Sequence, residues 1–533
     1  MTLKKWRSTP ILILSIVVAL LLGVVIGWFS HRRTRLNAYD ASLNEVIDLV
    51  QKHYVDSVDM SSITESLIPD LLHRLDPHSE FIGRDESLAE TQRLEGHFYG
   101  VGITFNTIID TPVVVDVIKG GGADRAGIRP GDRILSANKV SLLTDSLTSE
   151  EVQKKLRGGK GTVVNVGILR NHKLMNVGIT RDDVPIYSIN VAYMIGGGVG
   201  LIKINGWARN THQEFISAYA KLKDQGMKKL IIDLRDNVGG YMQSAVQVAN
   251  EFLPRGSVIV YSEGRAFPKE EYYADGYGLL QDIPLVIMVN ELSASSSEIF
   301  TGTLQDHDRA TVVGRRTFGK GLVQQPFYLP DSSQVRLTVA RYYMPSGRSI
   351  QKRYTMGDQE GYRRDLVDRI DAGEIYHLDS SFYKTAPKYV TDAGRVVYGE
   401  SGIMPDCFVP ADSMATNSYY IRLIESGLVP EFAFRFSDKN RKVLSGYSSP
   451  HSLWQFLRAN YTIVEDFANF ASDRGIGKRT AMLWDCAPLL DKLLSAQIAQ
   501  FIMGETGFYE IYFSEDNTIS AALKAFSTPL LRK

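Results

Sequence analysis

Three patterns predict a multidomain α/β protein. Apolar strand runs alternate with amphipathic helices over residues 184–410, the order of a βαβ core. Short β-rich runs, broken by Gly-Gly and Pro-Gly turns, fill residues 96–183. Helical periodicity without strand runs marks residues 411–533. The 533 residues are 44% hydrophobic and 23% charged, a composition able to bury several cores. Formal net charge is zero, so no nucleic-acid partner is expected. Cys407 and Cys486 are too few and too far apart for a disulfide framework or a metal site, and read as structural thiols.

The first segment, residues 1–37, holds an apolar, nearly charge-free run from Pro10 to Ser30. A run of about 20 such residues can cross a bilayer. Lys4, Lys5 and Arg7 precede it and Arg32, Arg33 and Arg35 follow it, so flanking charge orients it only weakly. No small-x-small cleavage site ends it and no lipidation cysteine follows, so it reads as an uncleaved signal anchor, with residues 10–30 in the membrane.

Residues 38–95 read as helices, from the spacing of Leu43, Val46, Ile47 and Val50 and of Ile63, Leu67, Leu71 and Leu72. The turn Asp76-Pro77-His78-Ser79 interrupts them, and His78 reads there as structural or capping. Within residues 96–183, strand runs at 100–105, 113–118, 134–137, 163–168 and 173–179 surround short helices near 123–126 and 149–156. This order, with Ala126-Gly127-Ile128 and Gly131-Asp132 before Ile134-Leu135, resembles a PDZ domain. The resemblance implies that the loop Tyr99, Gly100, Val101, Gly102 and Ile103 captures a peptide C-terminus on backbone N–H groups, with the peptide added as a strand. Arg157 is a candidate for coupling this module to the rest, beside its reading as a solvated arginine at a helix end.

In residues 184–410, strands at 199–204 and 229–234 and helices at 211–223 and 243–252 lead to Arg235-Asp236-Asn237-Val238-Gly239-Gly240. Paired glycines at a strand end can bring backbone N–H groups close to a ligand. A second strand, Pro284–Asn290, runs into Ser293-Ala294-Ser295-Ser296-Ser297-Glu298 and then a helix over 296–308. Such a turn lifts a hydroxyl above a sheet edge, and the helix N-terminus offers unpaired N–H groups. A nucleophile needs the first and an oxyanion the second. The residues alone do not separate Ser295 from Ser296. For the base, His307 reads as a helix-surface residue, and Lys320, between Gly319 and Gly321, is the better candidate, since burial favours a neutral amine. The side-chain oxygen of Gln324 is placed to hold that amine. Residues 354–392, charged and rich in Tyr and Asp, read as a mobile or inserted stretch. Residues 411–533 read as a separate helical domain for binding, dimerisation or regulation, and a homodimer is the assembly it would support.

Over roughly residues 38–410 the chain resembles the C-terminal processing, or tail-specific, proteases. The resemblance rests on Asp76-Pro77-His78-Ser79, the PDZ-like segment, Asp233–Gly240, Ser293–Ile299, Thr317–Gln324 and Pro345-Ser346-Gly347, in that order. It implies a ClpP/crotonase-like core with Ser295 as nucleophile, Lys320 as general base and Gln324 in support. It further implies an oxyanion hole from the N–H groups of Gly239 and Ser296, and a supporting role for Asp306. No metal or cofactor is implied. Substrates would be proteins with accessible C-terminal tails, met in the periplasm or outside the cell by a chain anchored in the inner membrane. Ser296 stands where the family's motif has alanine, and Trp207 replaces a common phenylalanine as packing. The alternative is a non-catalytic peptide-binding scaffold of the same fold, against which intact Ser295, Lys320 and Gln324 count. An esterase-like hydrolase is a further rival, and the PDZ-like segment favours polypeptide over it.

Overall fold

The computed structural model describes residues 38–107, 111–143, 148–170, 172–378, 382–411 and 417–527. The expected anchor at residues 10–30 lies outside them. Among the described residues no helix is long and apolar enough to cross a membrane. The chain divides into two units, Met1–Leu72 and His73–Lys533. In the first, the expected helices form as α1 (Ala38–His53) and most of α2 (Met60–His73).

In the second unit the expected turn runs into a short strand. After the Pro turn comes β1 (Glu80–Ile82), then α3 (Arg84–Glu95). The PDZ-like module follows as β2 (His97–Gly100), β3 (Ile103–Asn106), β4 (Val113–Val117), α4 (Gly122–Arg125), β5 (Arg133–Ala137), β6 (Val140–Ser141), α5 (Ser149–Leu156), β7 (Val163–Arg170), β8 (Lys173–Thr180) and β9 (Asp182–Pro185). Strands β2 and β9 pair as an antiparallel neck, and the others form the sheet β3-β4-β5-β7-β8 with β6 on β5. The single strand expected at 100–105 is broken at Val101-Gly102, where Gly102 takes φ +80°, a region that glycine enters without steric cost. Helix α5 starts in a capping box between Thr148 and Glu151.

The core contributes β10 (Val191–Gly196), β11 (Val199–Lys203), α6 (Thr211–Asp224), β12 (Lys229–Asp233), α7 (Met242–Asn250), β13 (Val258–Glu263), β14 (Glu270–Tyr273), β15 (Leu285–Val289), α8 (Ser296–Asp306), β16 (Thr311–Gly314), β17 (Leu322–Tyr328), β18 (Gln334–Tyr343), α9 (Gln359–Asp371), α10 (Phe382–Thr385), β19 (Lys388–Val390), β20 (Val396–Tyr398) and β21 (Cys407–Phe408). The main sheet runs β10-β11-β12-β15-β16-β21 and is parallel except at β10. Parallel strands are covered on both faces, which is why β12 and β15 are apolar throughout their centres. Leu230, Ile232, Leu285 and Ile287 join the front core with Phe215, Val248 and Phe300 of α6, α7 and α8. Ile231, Val286 and Met288 point the other way, following the period of two along a strand. A second sheet, β1-β18-β13-β14 with β17 on β18, is antiparallel and carries the Pro turn toward the core.

One expectation fails here. The stretch 354–392 contains α9, α10 and β19, which pairs with β20, and it is not a loose insertion. Arg369 of α9 donates to the carbonyls of Arg316 and Thr317 (3.0 and 3.2 Å), and the Tyr362 ring meets Phe318 edge-on. Helix α9 buries only Tyr362 and Arg369, so its sequence has no apolar stripe to reveal it. The helical region, α11 (Ser418–Glu425), α12 (Leu428–Leu444), α13 (Pro450–Asn460), α14 (Ile463–Ser472), α15 (Thr480–Met503), α16 (Glu505–Tyr512) and α17 (Asn517–Ala525), builds a core of its own and also packs on the rest. Val113 of β4 is buried in its core, and Arg133 faces Asp438 at 3.8 Å. At the other end, Phe513, Ile519 and Ala522 pack on Ile231, Val286 and Met288, closing the back of the main sheet.

Candidate active site

Strand β15 ends one turn before the serine cluster, and α8 starts at Ser296. Ser295 is the N-cap, with φ +57° and ψ −118°, a strained conformation for a non-glycine residue. The neighbouring hydroxyls are occupied. Ser293 Oγ donates to the Leu234 carbonyl (2.8 Å) and Ser296 Oγ to the Gly240 carbonyl (2.9 Å). Ser297 Oγ donates to the Asn237 carbonyl (3.0 Å) and accepts the indole N–H of Trp207 (2.9 Å). Ser295 is half-buried and opens on a cavity of about 780 Å³. Lys320, Gln324, His78, Gly239 and Tyr342 line the same cavity.

Lys320 lies on the loop between β16 and β17. Burial, then the nearby Arg336 guanidinium, push its pKa below the usual lysine range, against the pull of Glu80, Glu298 and Glu90. A lysine so placed gives up its proton more readily and can take one from a hydroxyl. The loop is held by Glu298, which is fully buried on the first turn of α8. Its carboxylate accepts from the N–H groups of Ser295 (2.9 Å), Lys320 (2.8 Å) and Gly319 (2.7 Å) and from Thr317 Oγ1 (2.5 Å). One side chain thus ties the serine turn to the lysine loop. Burial pushes its carboxyl up to about 7, against those four donors.

The predicted residues fall in three groups. Ser295, Lys320, Gln324, Gly239 and Ser296 share the cavity. The expected Gln324–Lys320 hydrogen bond is absent among the described residues: the Gln324 amide nitrogen donates to the His78 carbonyl (2.5 Å). A Cβ at Gly239 would lie 2.7 Å from Ser295 Cβ, so only glycine fits there, and its φ is +105°. The Gly239 N–H, expected to point at an oxyanion, donates to Asn237 Oδ1 (3.0 Å), because the short Asn side chain folds back on its own turn. Ser296 opens α8, so its N–H is one of that helix's orphan donors. Asp306 sits at the far end of α8 outside the cavity lining. It pairs with the buried Arg348 (2.7 Å) and accepts the Ser346 N–H (3.1 Å), holding the Pro345-Ser346-Gly347 turn.

In the PDZ-like module, Tyr99 and Gly100 lie in the β2–β9 neck, and the carbonyls of Val101 and Gly102 accept the N–H groups of Ala123 (2.8 Å) and Ile118 (3.0 Å). These bonds fix the loop that ends at Ile103, the first residue of β3. Arg157, the C-cap of α5, stacks over the Phe98 ring of β2 (4.3 Å) and is not part of the cavity.

Glu298, buried outside the cavity lining, and the cavity residues His78 and Tyr342 are not among the site residues assigned from sequence. Glu298 carries a signal, an acidic residue at the third position of a helix after a serine cap. His78 was read as structural. It lines the cavity, its ring meets the Tyr362 hydroxyl (2.8 Å), and burial followed by the Lys320 charge hold its pKa down at about 3, so it is neutral. Tyr342 of β18 donates to the Lys320 carbonyl and lines the cavity with Ser295. The Pro turn marks His78 only as a turn residue and nothing local marks Tyr342, because both reach the cavity through pairing of the second sheet.

Together the PDZ-like module and the α/β core with its serine turn and half-buried lysine define a serine-type peptidase. Residues 198–360 match peptidase family S41, residues 113–170 a PDZ domain, and residues 419–504 a family of unknown function, DUF8443. A probable CtpA-like serine protease of Staphylococcus aureus (strain COL) is 33% identical over 355 residues, 65% of this chain and 71% of that protein. Its counterpart in Staphylococcus epidermidis (strain ATCC 12228 / FDA PCI 1200) is 32% identical over 356 residues, 65% of this chain and 72% of that protein. A solved photosystem II D1 C-terminal processing protease is 24% identical, with 70% of this chain and 94% of that chain covered and a TM-score of 0.35. The chain belongs to peptidase family S41.

Proposed function

We propose that this peptidase cleaves polypeptides selected through their C-terminal residues, with Ser295 as nucleophile and Lys320 as general base. The observation that carries the dyad is the fate of the four hydroxyls: three are bonded to backbone carbonyls, and Ser295 faces the cavity that holds the half-buried lysine. Neutral Lys320 takes the Ser295 proton as Oγ attacks the scissile carbonyl. The N–H groups of Ser296 and Gly239 receive the oxyanion, which displaces Asn237 Oδ1 from Gly239. Lys320 then passes the proton to the leaving amine, the acyl-enzyme forms, and water activated by the same amine hydrolyses it. Gln324 orients the site through His78, and Asp306 supports it from the end of α8.

The loop Tyr99–Ile103 takes the substrate's terminal carboxylate, and Arg157 couples the module to its neck. Residues 10–30 anchor the chain in the inner membrane with the catalytic domains in the periplasm or outside the cell. This rests on that segment's length, apolarity and flanking charge. The helical region supports a homodimer.

The test incubates wild type, Ser295→Ala and Lys320→Ala with an unstructured protein ending in an apolar tail, and repeats it with that tail moved inside the sequence. Cleavage by wild type alone, slowed when the tail is internal, is expected. Equal cleavage by Ser295→Ala would remove the nucleophile assignment, and indifference to tail position would remove C-terminal capture.

A further inference from the structure

The turn that faces Ser295 is reached from behind by the C-terminal end of the chain. Arg235 follows β12 and is only 11% exposed. Its Nε and Nη2 donate to Asp233 (3.0 and 2.8 Å), and its Nη1 donates to Asp516 Oδ2 (2.7 Å). The Phe513 ring covers the guanidinium at 4.6 Å. Lys203, buried beside them, donates to the Arg235 carbonyl (2.9 Å) and stands 4.0 Å from Asp233. Two cations and two carboxylates therefore balance in a buried cluster, and Asp516 supplies one of those carboxylates.

This cluster is the anchor of a strained segment. Asp236, the next residue, has φ +66° and exchanges hydrogen bonds with Asn290, from its N–H (2.9 Å) and to its carboxylate (2.7 Å). Asn237 then accepts the N–H of Ala294 (3.0 Å), and Gly239 lies against Ser295. Strain of this kind persists only where the surroundings over-determine it. Asp516 lies outside the stretches matched by all three family models.

We propose that Asp516 is a positioning residue for peptide hydrolysis: it fixes Arg235, and through it the Asp236–Gly240 turn against Ser295. The proposal rests on the reading of Ser295 as nucleophile. It gives the C-terminal end of the chain a part in the reaction, although that segment touches no substrate. Without the Asp516 charge the cluster is left net positive and Arg235 loses one of its two partners. The turn then relaxes from the strained geometry that sets Gly239 beside the serine.

Asp516 also caps α17, accepting the Ile519 N–H on Oδ1 (2.8 Å). This separates its two roles, since Asn and Ser cap as well as Asp but carry no charge. The experiment measures kcat and KM on an unstructured protein with an apolar C-terminal tail, in the full chain, for Asp516→Asn, Asp516→Ser, Asp516→Glu, Ile519→Ala and Ser295→Ala, with a melting curve for each. Asp516→Asn and Asp516→Ser should lower kcat about tenfold and leave KM within about twofold, the pattern of a misplaced site. Asp516→Glu should recover most of that loss. Ile519→Ala loosens the same helix and should lower Tm without lowering kcat. Wild-type kcat in Asp516→Asn would overturn the proposal, as would an equal kcat loss in Ile519→Ala or no recovery in Asp516→Glu. If Ser295→Ala is inactive while Asp516→Asn is fully active, only the role of Asp516 fails. If Ser295→Ala turns over normally, the serine reading fails and this proposal with it.

Discussion

The two faces of the main sheet are built from alternate residues of the same strands, yet they are closed in opposite ways. On the front, α8 is buried along its whole length and carries Ser296, Ser297, Glu298, Thr301, Thr303, Gln305 and Asp306. A buried polar group is costly unless it is hydrogen-bonded, and here the carboxylate of Glu298 alone meets four donors. On the back, α16 and α17 present Phe513, Ile519 and Ala522 to Ile231, Val286 and Met288, with the Arg235–Asp516 pair at the edge. The front adds to its apolar core a set of directional bonds that fix where the site's atoms sit, and the back is closed mainly by apolar area. Front substitutions around the site should therefore act on turnover as well as stability, and back substitutions on stability, with Asp516 as the one back residue expected to cross over.

The largest effect is expected at the front. Lys320→Ala should cut kcat on the order of 10⁴-fold or more, as for removal of a residue from a nucleophile–base unit, with little change in Tm. A residual rate within tenfold of wild type would place the base elsewhere. Glu298→Gln comes next. It sets an NH₂ against two of the four donors, so kcat should fall about 100-fold and stability by about 1–3 kcal/mol, read by turnover assay and denaturant titration.

A smaller effect concerns pH. As the proposed base, Lys320 would act as the neutral amine, so activity should rise with pH along an acid limb set by that lysine, below the usual lysine range because burial depresses its pKa. Arg336 pushes the same way and also pairs with Glu80 (3.0 Å) and Glu90 (3.2 Å). Arg336→Gln should therefore move the limb to higher pH, and a shift to lower pH would contradict this electrostatic account. The smallest effect on turnover belongs to the back. Ile519→Ala should cost about 2–5 kcal/mol of stability, with kcat per folded molecule unchanged.

The front was readable from sequence because its signals are local: a strand, a hydroxyl-rich turn, an acidic residue three positions on, and a lysine between glycines. What sequence alone could not do was separate Ser295 from Ser296, since both sit at the helix start. The difference lies in which hydroxyl reaches the Gly240 carbonyl, a contact between residues 56 positions apart. His78 and Tyr342 reach the cavity through pairing of a distant sheet, and α9 hid because it buries a tyrosine and an arginine in place of an apolar stripe. The back cover also carries a signal in the sequence. The unbroken apolar runs Leu230-Ile231-Ile232 and Leu285-Val286-Ile287-Met288 require cover on both faces, and no helix of residues 184–410 was left to provide the second.

The central claim is that Ser295, and no other hydroxyl of the cluster, is the nucleophile activated by Lys320. Labelling the full chain with a fluorophosphonate and mapping the modified peptide tests it most directly. A single adduct on Ser295 is expected, forming far more slowly in Lys320→Ala. An adduct on Ser293, Ser296 or Ser297, or labelling of Lys320→Ala at the wild-type rate, would contradict it.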